Sequence, residues 1–284
     1  MHKNIVSMLQ DNFINVFNVK DQHLFFSPGR VNLIGEHTDY NGGHVFPCAL
    51  SFGTYGIISK RNDRKVRLYS MNFEDLGVIE FSLDYMVYDK AHDWANYPKA
   101  VIKTFENHGY RTEHGFDILF YGNIPNGAGL SSSASLEVLM AVIINDLNNF
   151  NLDMISMVKM CQEAENKFIG VNCGIMDQFA SAMGKKNHAI FLDTNSLDFE
   201  WVPVNLGNYK LIITNSMVKH NLVSSAYNDR RRECEKGLLM LQRALDISAL
   251  GDLTDLQFEA NKYLIDDEVI QKRVHHAVSE NQRT

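Results

Sequence analysis

Ile124-Pro-Asn-Gly-Ala-Gly-Leu-Ser-Ser-Ser-Ala-Ser-Leu-Glu137 is the most informative segment of this 284-residue chain. Gly127 and Gly129 lie two residues apart, and a run of serines follows them at once. The residues behind the serines are apolar on every side of a helix, so they predict a buried helix that begins there. A helix start offers unpaired N–H groups and partial positive charge, and glycines let the backbone approach a bulky anion without a Cβ clash. The segment therefore predicts a phosphate-binding loop, although a glycine-containing turn ahead of an ordinary core helix would look the same.

Composition sets the broad class. Hydrophobic residues make up 45% of the chain, enough for a substantial core, and the net charge of −7 argues against a nucleic-acid partner. The four cysteines show no paired metal-binding spacing and no disulfide framework. No apolar run reaches membrane-spanning length and the N-terminus lacks a signal sequence, so we expect a cytoplasmic protein with no membrane partner.

The order of periodic segments predicts an α+β fold with mixed sheets rather than regular βαβ repeats. Helical spacing covers residues 4–17 and 94–108, and alternation or short apolar runs predict several strands, of which 209–213 is the last. The long polar helix over 223–245 carries Arg231 and Arg232, and charges on such a helix usually form a solvated face.

A second unusual segment is Ser27-Pro-Gly-Arg-Val-Asn-Leu-Ile-Gly-Glu-His-Thr-Asp-Tyr-Asn-Gly-Gly43. A short apolar strand is bracketed by Arg30 on one side and by Glu36, His37 and Asp39 on the other. Dense polar groups directly after a strand are typical of a rigidly mounted site, although a solvated hairpin turn would explain them equally well.

Two further acidic residues lie at informative places. Glu165 falls on the apolar stripe of a helix that Asp153 caps, so its carboxylate must be paired with a base or bind a cation. Asp177 falls in the first turn of a helix that begins near Gly174, where the helix dipole favours the ionised form.

Together these segments resemble the galactokinases, a branch of the GHMP sugar and metabolite kinases. The resemblance is carried by residues 29–43, by Gly127-Ala-Gly-Leu-Ser-Ser-Ser-Ala-Ser135 and by Cys173-Gly-Ile-Met-Asp-Gln178, and it spans essentially the whole chain. It implies a two-domain GHMP kinase-like fold and transfer of the γ-phosphoryl group of ATP to the C1 hydroxyl of α-D-galactose, with Mg²⁺ as the metal. The implied partners are these small molecules alone, and the implied state is a monomer.

The resemblance also implies roles for particular residues. The catalytic carboxylate is Asp177, and Arg30 stabilises the transition state. The sugar is lined by Glu36, His37, Thr38, Asp39, Gly174, Asp177 and Tyr227. The nucleotide is held by Ser70, Gly127, Ala128, Gly129, Leu130, Ser131, Ser132 and Ser133, and Mg²⁺ by Ser133 and Glu165. Since Arg30 and the helix start both favour the carboxylate form, we expect Asp177 to orient the C1 hydroxyl and to accept its proton late.

One departure from the family pattern is expected to matter. Galactokinases are longer and carry a third glycine-rich motif near the C-terminus, which this chain lacks, so we expect an N-terminal domain over 1–200 and an incomplete C-terminal domain over 201–284. Two other functions therefore stay open, a non-catalytic sensor of galactose and ATP and a truncated, inactive fragment. A sibling kinase for N-acetylgalactosamine or another metabolite is a further alternative. The intact Leu130-Ser-Ser-Ser-Ala-Ser135 run favours the kinase over the sensor.

Overall fold

The computed structural model describes residues 2–125, 129–215 and 225–284. The α-helices are α1 (His2–Phe17), α2 (Asn96–Asn107), α3 (Ser132–Asn148), α4 (Met154–Ala164), α5 (Met176–Met183), α6 (Ser225–Leu241), α7 (Asp255–Asn261) and α8 (Glu268–Arg283). The strands are β1 (His23–Asn32), β2 (His44–Val45), β3 (Pro47–Lys60), β4 (Lys65–Ser70), β5 (Ile79–Ser82), β6 (Phe116–Gly122), β7 (His188–Asp193) and β8 (Phe199–Pro203). Within the described part of the chain, no helix has the length and apolar character that a bilayer crossing needs.

The chain forms two compact units. The first consists of Met1–Gly29 with Leu50–Ile169, and the second of Arg30–Ala49 with Gly170–Thr284. The predicted domain boundary at residue 200 does not coincide with the division between these two compact units, and it stays a prediction. The second unit is made of two segments, 30–49 and 170–284, which are separated in sequence by most of the first unit. Local sequence patterns cannot reveal that two such distant segments fold together.

The first unit is built on a mixed sheet with the strand order β1-β3-β6-β4-β5, in which β4 is parallel to β6 and β3 is antiparallel to it. Tyr55 and Ile57 of β3 join a core cluster with Leu9 and Phe13 of α1. Gly56 lies between them and faces the opposite way, where a Cβ would lie 3.2 Å from Leu139 of α3. The sheet is therefore covered by α1 on one face and by α3 on the other.

The second unit combines a small antiparallel sheet, β2-β7-β8, with helices α5 to α8. Side chains of α6, α7 and α8 form one apolar cluster that includes Leu241, Phe258 and Val274. Asp267 begins α8 by accepting hydrogen bonds from the N–H groups of Val269 and Ile270 at 2.7 and 3.1 Å.

Most predicted elements are confirmed, including the helix behind the serines and the Asp153 cap, which accepts from Ser156 N–H at 2.9 Å. The predicted strand at 209–213 is wrong. Residues 204–215 contain no strand, and Tyr209 and Ile212 are more than four-fifths exposed. Aromatic and β-branched residues form a strand only where a neighbouring strand pairs with them, and no described strand does so here.

Candidate active site

The second unit holds the segment that follows Arg30. Residues 33–43 form turns rather than a helix or strand, and two residues adopt left-handed backbone, Gly35 with φ +99° and His37 with φ +66°. The Thr38 hydroxyl lies inside this segment, within hydrogen-bond distance of the carbonyl oxygens of Gly35 at 2.9 Å and of His44 at 2.6 Å. Because Thr38 is fully buried, it supports the turn from behind, whereas Glu36 lies at the exposed rim and accepts from Asn32 Nδ2 at 2.8 Å.

Arg30 and Asp177 form an ion pair within this unit. The Nε and Nη2 atoms of Arg30 both lie 2.7 Å from Oδ1 of Asp177. The Arg30 side chain is 13% exposed and that of Asp177 is 30% exposed, so the pair is largely desolvated but Asp177 stays accessible. Asp177 lies in the first turn of α5, as predicted, so its carboxylate faces both the positive end of the helix dipole and the Arg30 guanidinium.

Asp39 packs directly against Gly174. A Cβ at position 174 would lie 2.0 Å from Oδ2 of Asp39, so only glycine leaves room for this carboxylate. Asp39 Oδ2 also accepts from Met176 N–H at 3.4 Å. Burial, together with the like charge of Asp177, raises the pKa of Asp39 to about 6 despite the opposing effect of that hydrogen bond and of Arg30.

Aromatic rings flank these carboxylates. The Tyr227 ring lies 5.9 Å from that of His37 and 5.7 Å from that of Tyr40, and His37 Nδ1 is 2.7 Å from Tyr40 Oη. Burial, followed by the electrostatic effects of Arg230, His276 and Arg273, lowers the pKa of His37 to about 4. The imidazole is therefore neutral at physiological pH and carries one donor and one acceptor nitrogen, which suits recognition of a hydroxyl.

The residues that precede Gly174 are held by helix α6. Arg231 Nη1 donates to the carbonyl oxygens of Asn172 and Cys173 at 2.8 and 3.2 Å, and Asn228 Oδ1 accepts from Asn172 N–H. The expectation of a solvated face is therefore wrong for Arg231, while Arg232 is exposed and pairs with Asp229. The available signal was spacing, since Arg231 lies one helical turn after Tyr227 and on the same side of α6.

The second unit thus brings together Arg30, His37, Asp39, Gly174, Asp177 and Tyr227. Sequence reasoning missed Tyr40, whose role depends on tertiary contacts, and Arg231, for which the spacing from Tyr227 was the available signal.

The first unit holds the predicted phosphate loop. Gly127 and Ala128 lie outside the described residues, whereas Gly129 has φ +69° and Ser131 has φ +59°. Ser131 is the N-cap of α3, and the first-turn N–H groups of that helix are the groups that could bind an anion. Leu130 is buried, and its carbonyl oxygen would lie only 2.7 Å from a Cβ at Gly29, so Leu130 packs tightly on β1.

Ser135 fixes the start of α3 on the sheet. Its hydroxyl is 2.8 Å from Ser27 O and 2.9 Å from Thr54 Oγ1, and all three residues are buried. Ser132 is exposed and Ser133 half-buried in the first turn, so these two hydroxyls remain within reach of a ligand.

Glu165 is 3% exposed and begins a π-helical turn, Glu165–Ile169, directly after α4. Turns of this kind frequently occur at functional sites. Burial, followed by the electrostatic effects of Glu137 and Glu165, raises the pKa of the Cys161 thiol well above its ordinary value. Glu137 lies one turn after Ser133 on α3, and the sequence analysis did not identify it as a buried acid close to the predicted metal residues.

The Ser133 hydroxyl and the Glu165 carboxylate offer oxygen donors, the kind that a hard divalent cation prefers. No group of three or more His, Cys, Asp or Glu side chains converges as a metal site in residues 2–125, 129–215 and 225–284. Mg²⁺ usually uses one or two protein carboxylates and takes its other ligands from water and substrate phosphates, so a hydroxyl and a carboxylate are a sufficient protein contribution.

Ser70 lies at the end of β4, is buried, and accepts a hydrogen bond from Asn72 N–H at 3.2 Å. The residues that follow it, Met71 to Leu76, line a groove of about 540 Å³ together with Asp93. Ser70 therefore adjoins a concave surface of the first unit that is large enough for part of a nucleotide.

Two family models and several curated galactokinases match this chain. Residues 11–60 match the galactokinase galactose-binding signature, and residues 96–185 match the GHMP kinases N terminal domain. A galactokinase from Clostridium beijerinckii is 58% identical over 279 residues, which are 98% of this chain and 72% of that protein. One from Fusobacterium nucleatum is 61% identical over 260 residues, which are 91% of this chain and 67% of that protein.

Solved structures give the same result. Lactococcus lactis galactokinase complexed with galactose has a TM-score of 0.95 and 48% identity, and the match covers 98% of this chain and 72% of that one. Methanococcus jannaschii mevalonate kinase, at 18% identity and a TM-score of 0.54 over 86% of this chain and 78% of that one, shares the fold. The predicted GHMP kinase fold is confirmed, and the relatives are longer than this chain. With 58% identity over 98% of its length, the chain belongs to the galactokinase family of GHMP kinases.

Proposed function

We propose that the protein transfers the γ-phosphoryl group of ATP to the C1 hydroxyl of α-D-galactose. The observation that carries this proposal is the Arg30–Asp177 ion pair at 2.7 Å, next to Asp39, in a unit that contains residues 30–49 of the galactose-binding signature. The galactokinase of Lactococcus lactis, which is complexed with galactose, supports the sugar assignment through its 48% identity.

Galactose is recognised in the second unit by Glu36, His37, Asp39, Gly174 and Tyr227. Ionised carboxylates accept strong hydrogen bonds from sugar hydroxyls, and the neutral His37 ring can donate or accept one. Gly174 contributes by leaving room for Asp39. A site of this kind rejects an epimer because the wrong sugar would leave buried polar groups unpaired.

Asp177 orients the C1 hydroxyl and accepts its proton late in the transfer. The transition state for phosphoryl transfer is loose, so the attacking hydroxyl needs little early deprotonation and the base at this position acts late. Arg30 keeps Asp177 in place and offers its guanidinium charge to the transferring group.

The phosphates of ATP bind at residues 127–133 in the first unit, with Ser70 beside the nucleotide. The N–H groups at the start of α3 supply fixed dipoles that point at the anion. Ser133 and Glu165 are the residues that would hold Mg²⁺, which neutralises phosphate charge when bound. We propose that the protein works as a monomer, and light scattering would test this oligomeric state. Its proposed location is the cytoplasm, where ATP is available.

A coupled ADP-release assay tests the function. The chain is supplied with Mg²⁺-ATP and with galactose, N-acetylgalactosamine, glucose or no sugar, beside a full-length relative as reference. ADP release that requires galactose supports the proposal. Preference for N-acetylgalactosamine would indicate a sibling kinase. Binding of galactose and ATP without turnover would indicate a sensor or an inactive fragment.

A further inference from the structure

The last helix of the second unit contacts the turn that carries the proposed sugar residues. His276 and Glu280 lie one turn apart on α8, on one side of the helix, and Asn281 is adjacent to Glu280. All three side chains bond to groups within residues 35–44.

Glu280 makes the tightest of these contacts. Its Oε1 accepts from the N–H groups of Gly35 and Glu36 at 3.0 and 3.1 Å, and the residue is 7% exposed. His276 Nε2 lies 3.0 Å from Glu36 O, so the peptide groups on both sides of Glu36 are held by α8. Asn281 anchors the far end separately, through His44 N–H at 2.7 Å.

The turn needs this support because of its backbone conformation. Gly35 and His37 have left-handed backbone, and residues 33–43 lie outside any helix or strand, so the N–H groups of Gly35 and Glu36 take the Glu280 carboxylate as their acceptor. A Cβ at Gly35 would lie 2.7 Å from His44 O, so only glycine fits where the two ends of the turn approach each other. If the Glu280 carboxylate were removed, two largely enclosed donors would lose their acceptor.

The charge of Glu280 agrees with its position. Burial alone would raise the pKa of Glu280, but the N–H groups of Glu36 and Gly35, followed by Arg283 and His276, outweigh burial and lower it. The carboxylate is therefore ionised at neutral pH and makes charge-assisted hydrogen bonds to the turn.

We propose that Glu280, assisted by His276, is a positioning residue for galactose, which holds the Gly35–Glu36 peptide and thereby directs Glu36, His37 and Asp39 toward the sugar. The inference rests on the proposed function, since it assumes that these three residues bind galactose. Glu280 acts through the backbone of the turn rather than by touching the substrate.

The test compares three variants by steady-state kinetics. Glu280→Ala removes the acceptor and should raise the KM for galactose by about tenfold or more, while the KM for ATP changes by less than about twofold. Glu280→Gln keeps an amide oxygen at the same place and should recover most of the affinity. Glu268→Ala is the matched control, because Glu268 lies on the same helix with a side chain that is 88% exposed.

The outcomes separate the two claims. A parent chain that neither binds galactose by calorimetry nor phosphorylates it would overturn the proposed function and this inference together. A normal parent whose Glu280→Ala variant keeps its galactose KM, or loses only kcat with both KM values unchanged, would overturn this inference alone. If Glu280→Ala does not fold, His276→Ala should still raise the galactose KM by about twofold to fivefold, and no change would overturn the inference.

Discussion

The substitution Gly174→Ala tests the packing of the proposed sugar site in a direct way. The new Cβ would lie 2.0 Å from Oδ2, 2.1 Å from Cγ and 2.7 Å from Oδ1 of Asp39. The backbone of Gly174 is outside the left-handed region, so alanine causes no conformational strain there and the effect is steric. The Asp39 carboxylate must therefore move.

The size of that movement sets the expected loss. An ordinary carbon–oxygen contact is about 3.3 Å, so the carboxylate must retreat by about 1.3 Å, which also weakens its contact with Met176 N–H. Displacement of about 1 Å in a positioned polar group can cost about 100-fold in rate, equivalent to about 2.7 kcal/mol. We expect kcat/KM for galactose to fall by about that factor, mainly through KM.

The ADP-release assay with varied galactose measures this change, and the KM for ATP should stay within about twofold. Gly122→Ala is a suitable control, because its Cβ would meet only Asn72 Oδ1 at an ordinary 3.6 Å. A Gly174→Ala enzyme with kcat/KM within about threefold of the parent would show that Asp39 does not need its present position to bind the sugar.

Four further results are expected. Asp177→Asn should nearly abolish turnover while ATP binding, followed by calorimetry, persists; activity within about fivefold of the parent would contradict its role. Galactose affinity should weaken as pH falls through about 6, where Asp39 gains a proton while facing Asp177, Arg30 and the Met176 N–H group, and Asp39→Asn should flatten this profile. Because the pKa of Asp39 is raised in the folded state, the stability that protonated Asp39 contributes is lost as pH rises from about 4 to about 6. Asp39→Asn should therefore melt at a higher temperature than the parent at about pH 8. Near pH 4 the substitution should give no gain in melting temperature. Glu165→Gln should raise the Mg²⁺ concentration needed for half-maximal activity by about tenfold, with galactose KM unchanged, and an unaltered Mg²⁺ titration would contradict its assignment.

The elements that local pattern controls could be predicted from the sequence. Asp153 and the apolar run after Ser133 define helices through capping and periodicity, which need no distant partner. The position of Asp177 in the first turn of α5 followed from the same kind of signal.

The remaining features depend on contacts between distant segments. The segment at 209–213 has strand-forming residues but pairs with none of the described strands, so it is not a strand. Arg231 has the composition of a solvated helix face, yet its target is a pair of carbonyls almost sixty residues earlier. Glu280 is equally invisible in the sequence, because the N–H groups it holds belong to residues 35 and 36.

The most direct test of the central claim is phosphorus NMR of the reaction of this chain with Mg²⁺-ATP and galactose. The account predicts one new sugar-phosphate resonance, that of α-D-galactose 1-phosphate, which appears at the rate at which ADP forms and is absent with Asp177→Asn. Phosphate attached to any other hydroxyl, or ATP turnover without a phosphorylated sugar, would contradict it.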